Sequence, residues 1–197
     1  MHDAARRAIA DALYAAGREH DAARPDRLDR FRNVEPETAE LLGVLVRARA
    51  APRVLEIGTS NGYSTIWLAD AVQATNGSLV SLEIDPARTA LAREHLARAG
   101  LEDVADLRTA DAREALAAFA DDAFDVVFLD AERPAYPGYW PGLVRTLAPG
   151  GLLAVDNVLS HAAEVEAFRG IVAADERVTP ALVPIGAGVL LVVRDRR

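Results

Sequence analysis

Five short apolar runs recur along this chain, separated by longer stretches with helical spacing, and that alternation sharply limits the folds open to it. The runs are Arg53–Ile57, Ser78–Ile84, Asp106–Thr109, Asp125–Asp130 and Gly151–Asp156. Helical patterns fill residues 63–75, 86–99, 112–120, 136–148 and 162–174. Strands linked through helices run parallel, and the helices then cover both faces of the sheet. The end of the chain breaks the rhythm. Val178–Pro184 and Val189–Arg194 are separated only by Ile185-Gly186-Ala187-Gly188, too little for a helix, so they read as an antiparallel hairpin closing one edge. The expected class is α/β.

Residues 1–20 and 36–50 carry helical patterns ahead of the first strand, the second opening at Glu35-Pro36-Glu37 with proline in the first turn. At 197 residues, 51% of them hydrophobic, the chain is expected to form one domain, with a helical segment over 1–50 and an α/β core over 51–197. Ile9, Leu13 and Ala16 share a face of the first helix, available to pack in cis or across a dimer. Tyr136, Tyr139, Trp140, Leu143, Val144 and Leu147 form an apolar stripe that reads as core, and Pro141 is expected to kink that helix or delay its start.

Composition removes whole classes of chemistry. With no cysteine there is no disulfide, thiolate nucleophile or Cys-ligated metal. All 22 basic residues are arginine, so a pyridoxal-phosphate Schiff base and a Walker A lysine are excluded as well. A net charge of −8 without a basic cluster argues against nucleic acid as partner. No apolar run approaches the roughly 20 residues of a membrane span, and the opening residues lack a signal-peptide core. A cytoplasmic protein without a membrane partner is expected.

The first strand runs into Glu56-Ile57-Gly58-Thr59-Ser60-Asn61-Gly62-Tyr63-Ser64 and then a helix. Glycines there let backbone approach a ligand closely. The spacing is not that of a dinucleotide fingerprint, and an acid two residues before the first glycine suits an amino-bearing ligand better than a pyrophosphate. At the end of the second strand, Asp85 precedes Pro86 and suits a helix cap. Glu83 has no such structural reason and is assigned to ribose hydroxyls.

On these residues, together with Ala110-Asp111-Ala112, the run Phe124–Ala131, Asp156-Asn157 and Pro184-Ile185-Gly186, the chain resembles the class I S-adenosylmethionine-dependent methyltransferases. It is most similar to the cation-dependent O-methyltransferases of the catechol and caffeoyl-CoA type. The resemblance implies a Rossmann-like, seven-stranded, mostly parallel sheet, and an enzyme that moves a methyl group from S-adenosylmethionine to a hydroxylated small-molecule acceptor, as a homodimer. Carried over residue by residue, Glu56, Gly58, Ser60, Gly62, Tyr63 and Ser64 would surround the methionine part of the donor and Glu83 its ribose. Asp111 and Ala112 would lie beside the adenine, with Asp130 also at the donor; Asp111 serves equally as a cap for the helix it precedes.

Asp130 ends the fourth strand and Asp156-Asn157 the fifth. On adjacent strands they would gather at the carboxyl edge as three hard oxygen ligands, suited to Mg²⁺, Mn²⁺ or Ca²⁺, or else simply satisfy turn backbone. A divalent cation there would acidify a phenol and position its oxygen. Three departures from the family stand out. Arg133 occupies the position where the family usually has a proton-accepting lysine; arginine does not deprotonate in this pH range, so it is a poor base but suited to orienting or neutralising an anionic acceptor. Asp130, a metal-bound hydroxide or His161 are the remaining candidates for the base, although His161 also reads as a solvated helix end. The loop Val158-Leu159-Ser160 is shorter than usual, and Ala187 stands where the terminal hairpin usually has aspartate.

Overall fold

A computed structural model describes Met1 and residues 3–196. Its seven strands are β1 (Arg53–Ile57), β2 (Ser78–Glu83), β3 (Ala105–Thr109), β4 (Phe124–Leu129), β5 (Leu147–Val155), β6 (Val178–Val183) and β7 (Val189–Arg194). They lie in the order β3-β2-β1-β4-β5-β7-β6. The first five are parallel, and β7 runs antiparallel to both β5 and β6. The expected Rossmann-like sheet with its terminal hairpin is therefore present. Strand order reverses between β1 and β4, and an open α/β sheet leaves its ligand crevice at such a point.

The helices are α1 (Ala4–Ala22), α2 (Pro36–Ala48), α3 (Tyr63–Ala74), α4 (Pro86–Arg98), α5 (Ala112–Ala118), α6 (Tyr136–Thr146) and α7 (Ala162–Ala174). Two cores flank the sheet because successive strand residues face opposite sides. Val54, Val126 and Phe128 pack with Leu42, Tyr63, Ile66 and Trp67 on one face. Leu55, Val127 and Leu129 pack with Tyr136, Trp140, Val165 and Phe168 on the other. Both faces being buried, the central strands read as nearly unbroken apolar runs.

Several boundaries differ from the sequence reading. β5 begins at Leu147, four residues early: Leu147 pairs with Phe124, and the register then slips so that Leu152 meets Val126. Ala148-Pro149-Gly150-Gly151 forms the intervening irregularity, with Gly150 at φ 75°. α6 continues through Pro141 and follows directly on a short 3₁₀ turn at Arg133–Ala135, with Tyr136, Trp140, Leu143 and Val144 buried as expected. The buried face of α1 is Ala10, Leu13 and Gly17; Ala16 is exposed. Gly17 takes over because Asn33 presses on it, and a Cβ there would lie 2.4 Å from Asn33 Nδ2. α1 packs in cis, with Arg6 donating to Asp70, Gln73 and two backbone carbonyls before and at Gly100.

A buried carboxyl locks the first strand to its neighbours. Glu56 is wholly enclosed and accepts from the hydroxyls of Ser64 (2.5 Å), Thr65 (2.6 Å) and Ser81 (2.6 Å), so β1, β2 and the first turn of α3 meet on one side chain. Burial outweighs these hydrogen bonds and pushes its pKa from 4.5 up to about 7. The folded protein thus binds more protons than the unfolded chain between those values, so this group's contribution to stability falls as pH rises through that window. Glu56→Gln should remove the effect. In urea titrations the stability difference, wild type minus variant, is expected to be larger at pH 5 than at pH 8 by up to about 3 kcal/mol. An identical pH dependence for the two proteins would overturn the assignment.

Candidate active site

The carboxyl ends of β1, β2, β4 and β5 open into a cavity of about 650 Å³. Its floor begins at Gly58, which follows β1 with φ 106°. A Cβ there would lie 2.0 Å from the carbonyl oxygen of Asp130, so only glycine lets the exits of β1 and β4 touch. Gly58 and Thr59 both donate to the Leu82 carbonyl, which fixes the turn against β2 as well. Ser60, also at positive φ, donates its N–H to Glu83 at 2.8 Å and its hydroxyl to the Phe31 carbonyl at 2.8 Å.

Of the residues expected at the donor, Gly58, Ser60, Tyr63, Ser64, Glu83, Asp111, Ala112 and Asp130 line this cavity. Glu83 is nearly buried, and besides Ser60 its carboxylate accepts from the backbone N–H groups of Ile84 (2.9 Å) and Asp85 (3.1 Å). Asp85 caps α4 through Ala87, as read from sequence. Asp111 caps α5 by accepting from Arg113 at 2.7 Å, and it also lies in the cavity wall. Glu56 and Gly62 lie behind the wall instead. Glu56 is used up in its hydroxyl cage, and Gly62 (φ 87°) makes the turn into α3 with its Cα against Ala92.

At the other end of the cavity Asp130 and Asn157 line the wall, and Asp156 lies just behind them, 1% exposed. Asn157 adopts φ 64°, and its Nδ2 donates to Asp156 at 2.8 Å and to Asp130 at 3.3 Å, so β4 and β5 do bring the three together. Burial raises both carboxyl pKa values; at Asp156 the charge of Asp130 adds to this, while Arg32 and Arg133 oppose it at Asp130. Asp156 Oδ1 is buried without a hydrogen-bond partner. His161 lines the cavity at the start of α7, its Nδ1 2.8 Å from Ser160 Oγ, and burial followed by Arg133 lowers its pKa.

The cavity has a roof that sequence reasoning missed. Residues 24–34 between α1 and α2 cross over it, contributing Arg27, Phe31, Arg32 and Asn33. Asp21 holds the backbone N–H groups of Phe31 and Arg32, and Arg88 donates to the carbonyls of Leu28 and Arg30. Toward the Asp130 end Arg27 and Arg32 share Glu132 (2.9 and 2.6 Å), while Arg27 and Arg133 share Glu164 (3.3 and 2.9 Å). Arg133 is 3% exposed. The clustering of Arg27, Arg30 and Arg32 in a stretch without apolar period was the available signal. Tyr139, read as core, is half-buried and reaches the cavity from α6.

Comparison with known proteins agrees with this architecture. Residues 26–195 match the O-methyltransferase family. A catechol O-methyltransferase of Niastella koreensis is 38% identical over 130 residues, which span 64% of this chain and 58% of that protein. The O-methyltransferase TomG of Streptomyces achromogenes, solved in complex with SAM, superposes with a TM-score of 0.79 at 30% identity, covering 99% of this chain and 91% of that one. The O-methyltransferase of Bacillus cereus, solved with SAH, gives 0.80 at 26% identity, covering 99% and 92%. With its sheet order, its switch-point cavity and a family match over 26–195, this chain belongs to the O-methyltransferase family.

Proposed function

We propose that this protein transfers the methyl group of S-adenosylmethionine to a hydroxyl of a catechol-like aromatic small molecule, with a divalent cation at Asp130, Asp156 and Asn157. The observation that carries the reading is that one cavity joins Glu83 and the glycine turn at one end to Asp130 and Asn157 at the other. A donor seated over the glycine turn would place its methyl group toward the carboxylates, and proximity of that kind is the main service an activated sulfonium requires. In this reading Glu83 holds the ribose, Asp111 and Ala112 flank the adenine, and Gly58, Ser60, Tyr63 and Ser64 surround the methionine part. Glu56 and Gly62 act through the turn, as positioning residues. A homodimer in the cytoplasm belongs to the same reading by family resemblance.

The donor set supports a hard cation. Asp156 Oδ1 is an orphaned buried oxygen, and two carboxylates held together by one amide call for positive charge. Rotating the Asn157 amide would present its oxygen in place of Nδ2. A cation bound there supplies the charge that acidifies a catechol hydroxyl. The protein's own groups do the rest: the roof over 24–34 excludes water, and Arg32 and Arg133 add positive charge beside the acceptor.

Asp156→Ala should lower methyl transfer to catechol by at least about 100-fold while leaving the calorimetric affinity for S-adenosylmethionine within about twofold. Chelation of Mg²⁺ should have the same effect on the wild type. A matching loss of donor affinity, or a rate indifferent to chelator, would overturn the cation site. Glu83→Gln should behave in the opposite way, weakening donor binding by about 10- to 100-fold through loss of a charge-assisted acceptor, with the acceptor KM at saturating donor unchanged. Unaltered donor affinity would remove Glu83 from the donor site.

A further inference from the structure

The groups on the acceptor side that could take a proton are Asp130, assigned above to the cation, and His161, whose Nδ1 is engaged by Ser160 Oγ. The cationic side chains lining the cavity are Arg27, Arg30, Arg32, Arg88 and Arg133, and the chain contains no lysine. Glu132 is taken up by Arg27 and Arg32. Arg133 is the most enclosed of the arginines, yet it is held by one edge only. Its Nε donates to Glu164, and among the described residues its terminal nitrogens have no hydrogen-bond partner. The local charge count leaves a surplus. With Asp130 and Asp156 balanced by the cation proposed above, Arg27, Arg32 and Arg133 are matched by Glu132 and Glu164, and one positive charge is left over on this side. An enclosed guanidinium with free N–H groups is an anion site, and it stays charged at every working pH.

We propose that Arg133 is a fixed-charge catalytic residue that binds the acceptor's reacting oxygen as an oxyanion, so that no side chain of this protein removes the acceptor's proton. This rests on the O-methyltransferase reading above. The acceptor's proton goes to solvent water on binding. The oxyanion's electron pair then forms the O–CH₃ bond as the S–CH₃ bond breaks, and the electrons of that bond return to sulfur, leaving a neutral thioether. The favoured substrates are acidic catechols, those with electron-withdrawing ring substituents, because they supply the oxyanion at neutral pH.

The test uses 4-nitrocatechol, whose ionised form has its own visible absorption band, bound to the full-length protein with Mg²⁺. In the wild type the band should persist to a pH lower than in Arg133→Gln by about one unit or more, the effect of one close opposite charge. Arg133→Lys keeps the charge and should retain most of the shift, which separates charge from any damage to folding. In methyl transfer, Arg133→Gln should lose about tenfold or more in kcat/KM near pH 7. The wild-type inflection of kcat/KM with pH should move with the acidity of each catechol across a series. Equal spectral midpoints in wild type and Arg133→Gln, or one inflection common to all catechols, would overturn the proposal, the latter by revealing a base on the enzyme. If no catechol is methylated with S-adenosylmethionine and Mg²⁺, the functional reading fails along with the catalytic role. Methylation with a fixed inflection sinks the role of Arg133 alone.

Discussion

At Gly58 the backbone of the first loop lies against the carbonyl of Asp130 with no room for a single carbon between them. Everything at the carboxyl edge depends on that approach. It draws the exits of β1 and β4 together at the reversal of strand order, so the turn that leads into α3 and the carboxylates that end β4 and β5 face one cavity rather than two. The contact is maintained from beneath by Glu56, whose three hydroxyl partners come from α3 and β2. An acid buried this way costs stability when ionised, and its hydroxyl partners offset only part of that cost. Its value is positional: one side chain aligns two strands and a helix start.

Electrostatically the cavity has two unlike ends. Beneath the acceptor end lie two carboxyls whose burial disfavours their charge, joined by the amide of Asn157. Above it lie arginines, each pair of them sharing one glutamate. The more exposed of these pairs, those of Arg27 and Arg32 with Glu132, contribute little to stability. Their effect is on placement, because a planar guanidinium held along one edge presents its remaining N–H groups in a fixed direction. Lysine, a flexible point charge, would not be oriented by a single carboxylate in the same way.

The sheet was legible because its signals are local. Apolar runs of strand length, Asp85-Pro86 before a helix and the short glycine link at 185–188 each specify their element within a few residues, and each is where it was expected. What escaped the sequence depends on distant partners. Glu56 looked like a ligand residue since its hydroxyl cage is assembled from positions 64, 65 and 81. Ala16 was expected on the packed face of α1, whereas Gly17 holds that place because its lack of a side chain admits Asn33. The early start of β5 was hidden by Pro149-Gly150-Gly151, which has turn chemistry but only bends a strand that had already begun to pair. Asp130, Asp156 and Asn157 were predictable as neighbours from strand ends alone; that Asp156 stands behind the other two was not.

The roof shows the same limit from the side of function. Residues 24–34 have no helical or strand period, since their order comes largely from polar ties to Asp21, Ser60, Arg88, Glu132 and Glu164, with Val34 at the end of the segment anchored in the core. The segment covers the glycine turn through Phe31 and the acceptor end through Arg27 and Arg32 at once. Glu132 and Glu164 bind the arginines of this segment, and Glu164 holds Arg133 as well, so the segment and the enclosed guanidinium are fixed by one set of ion pairs.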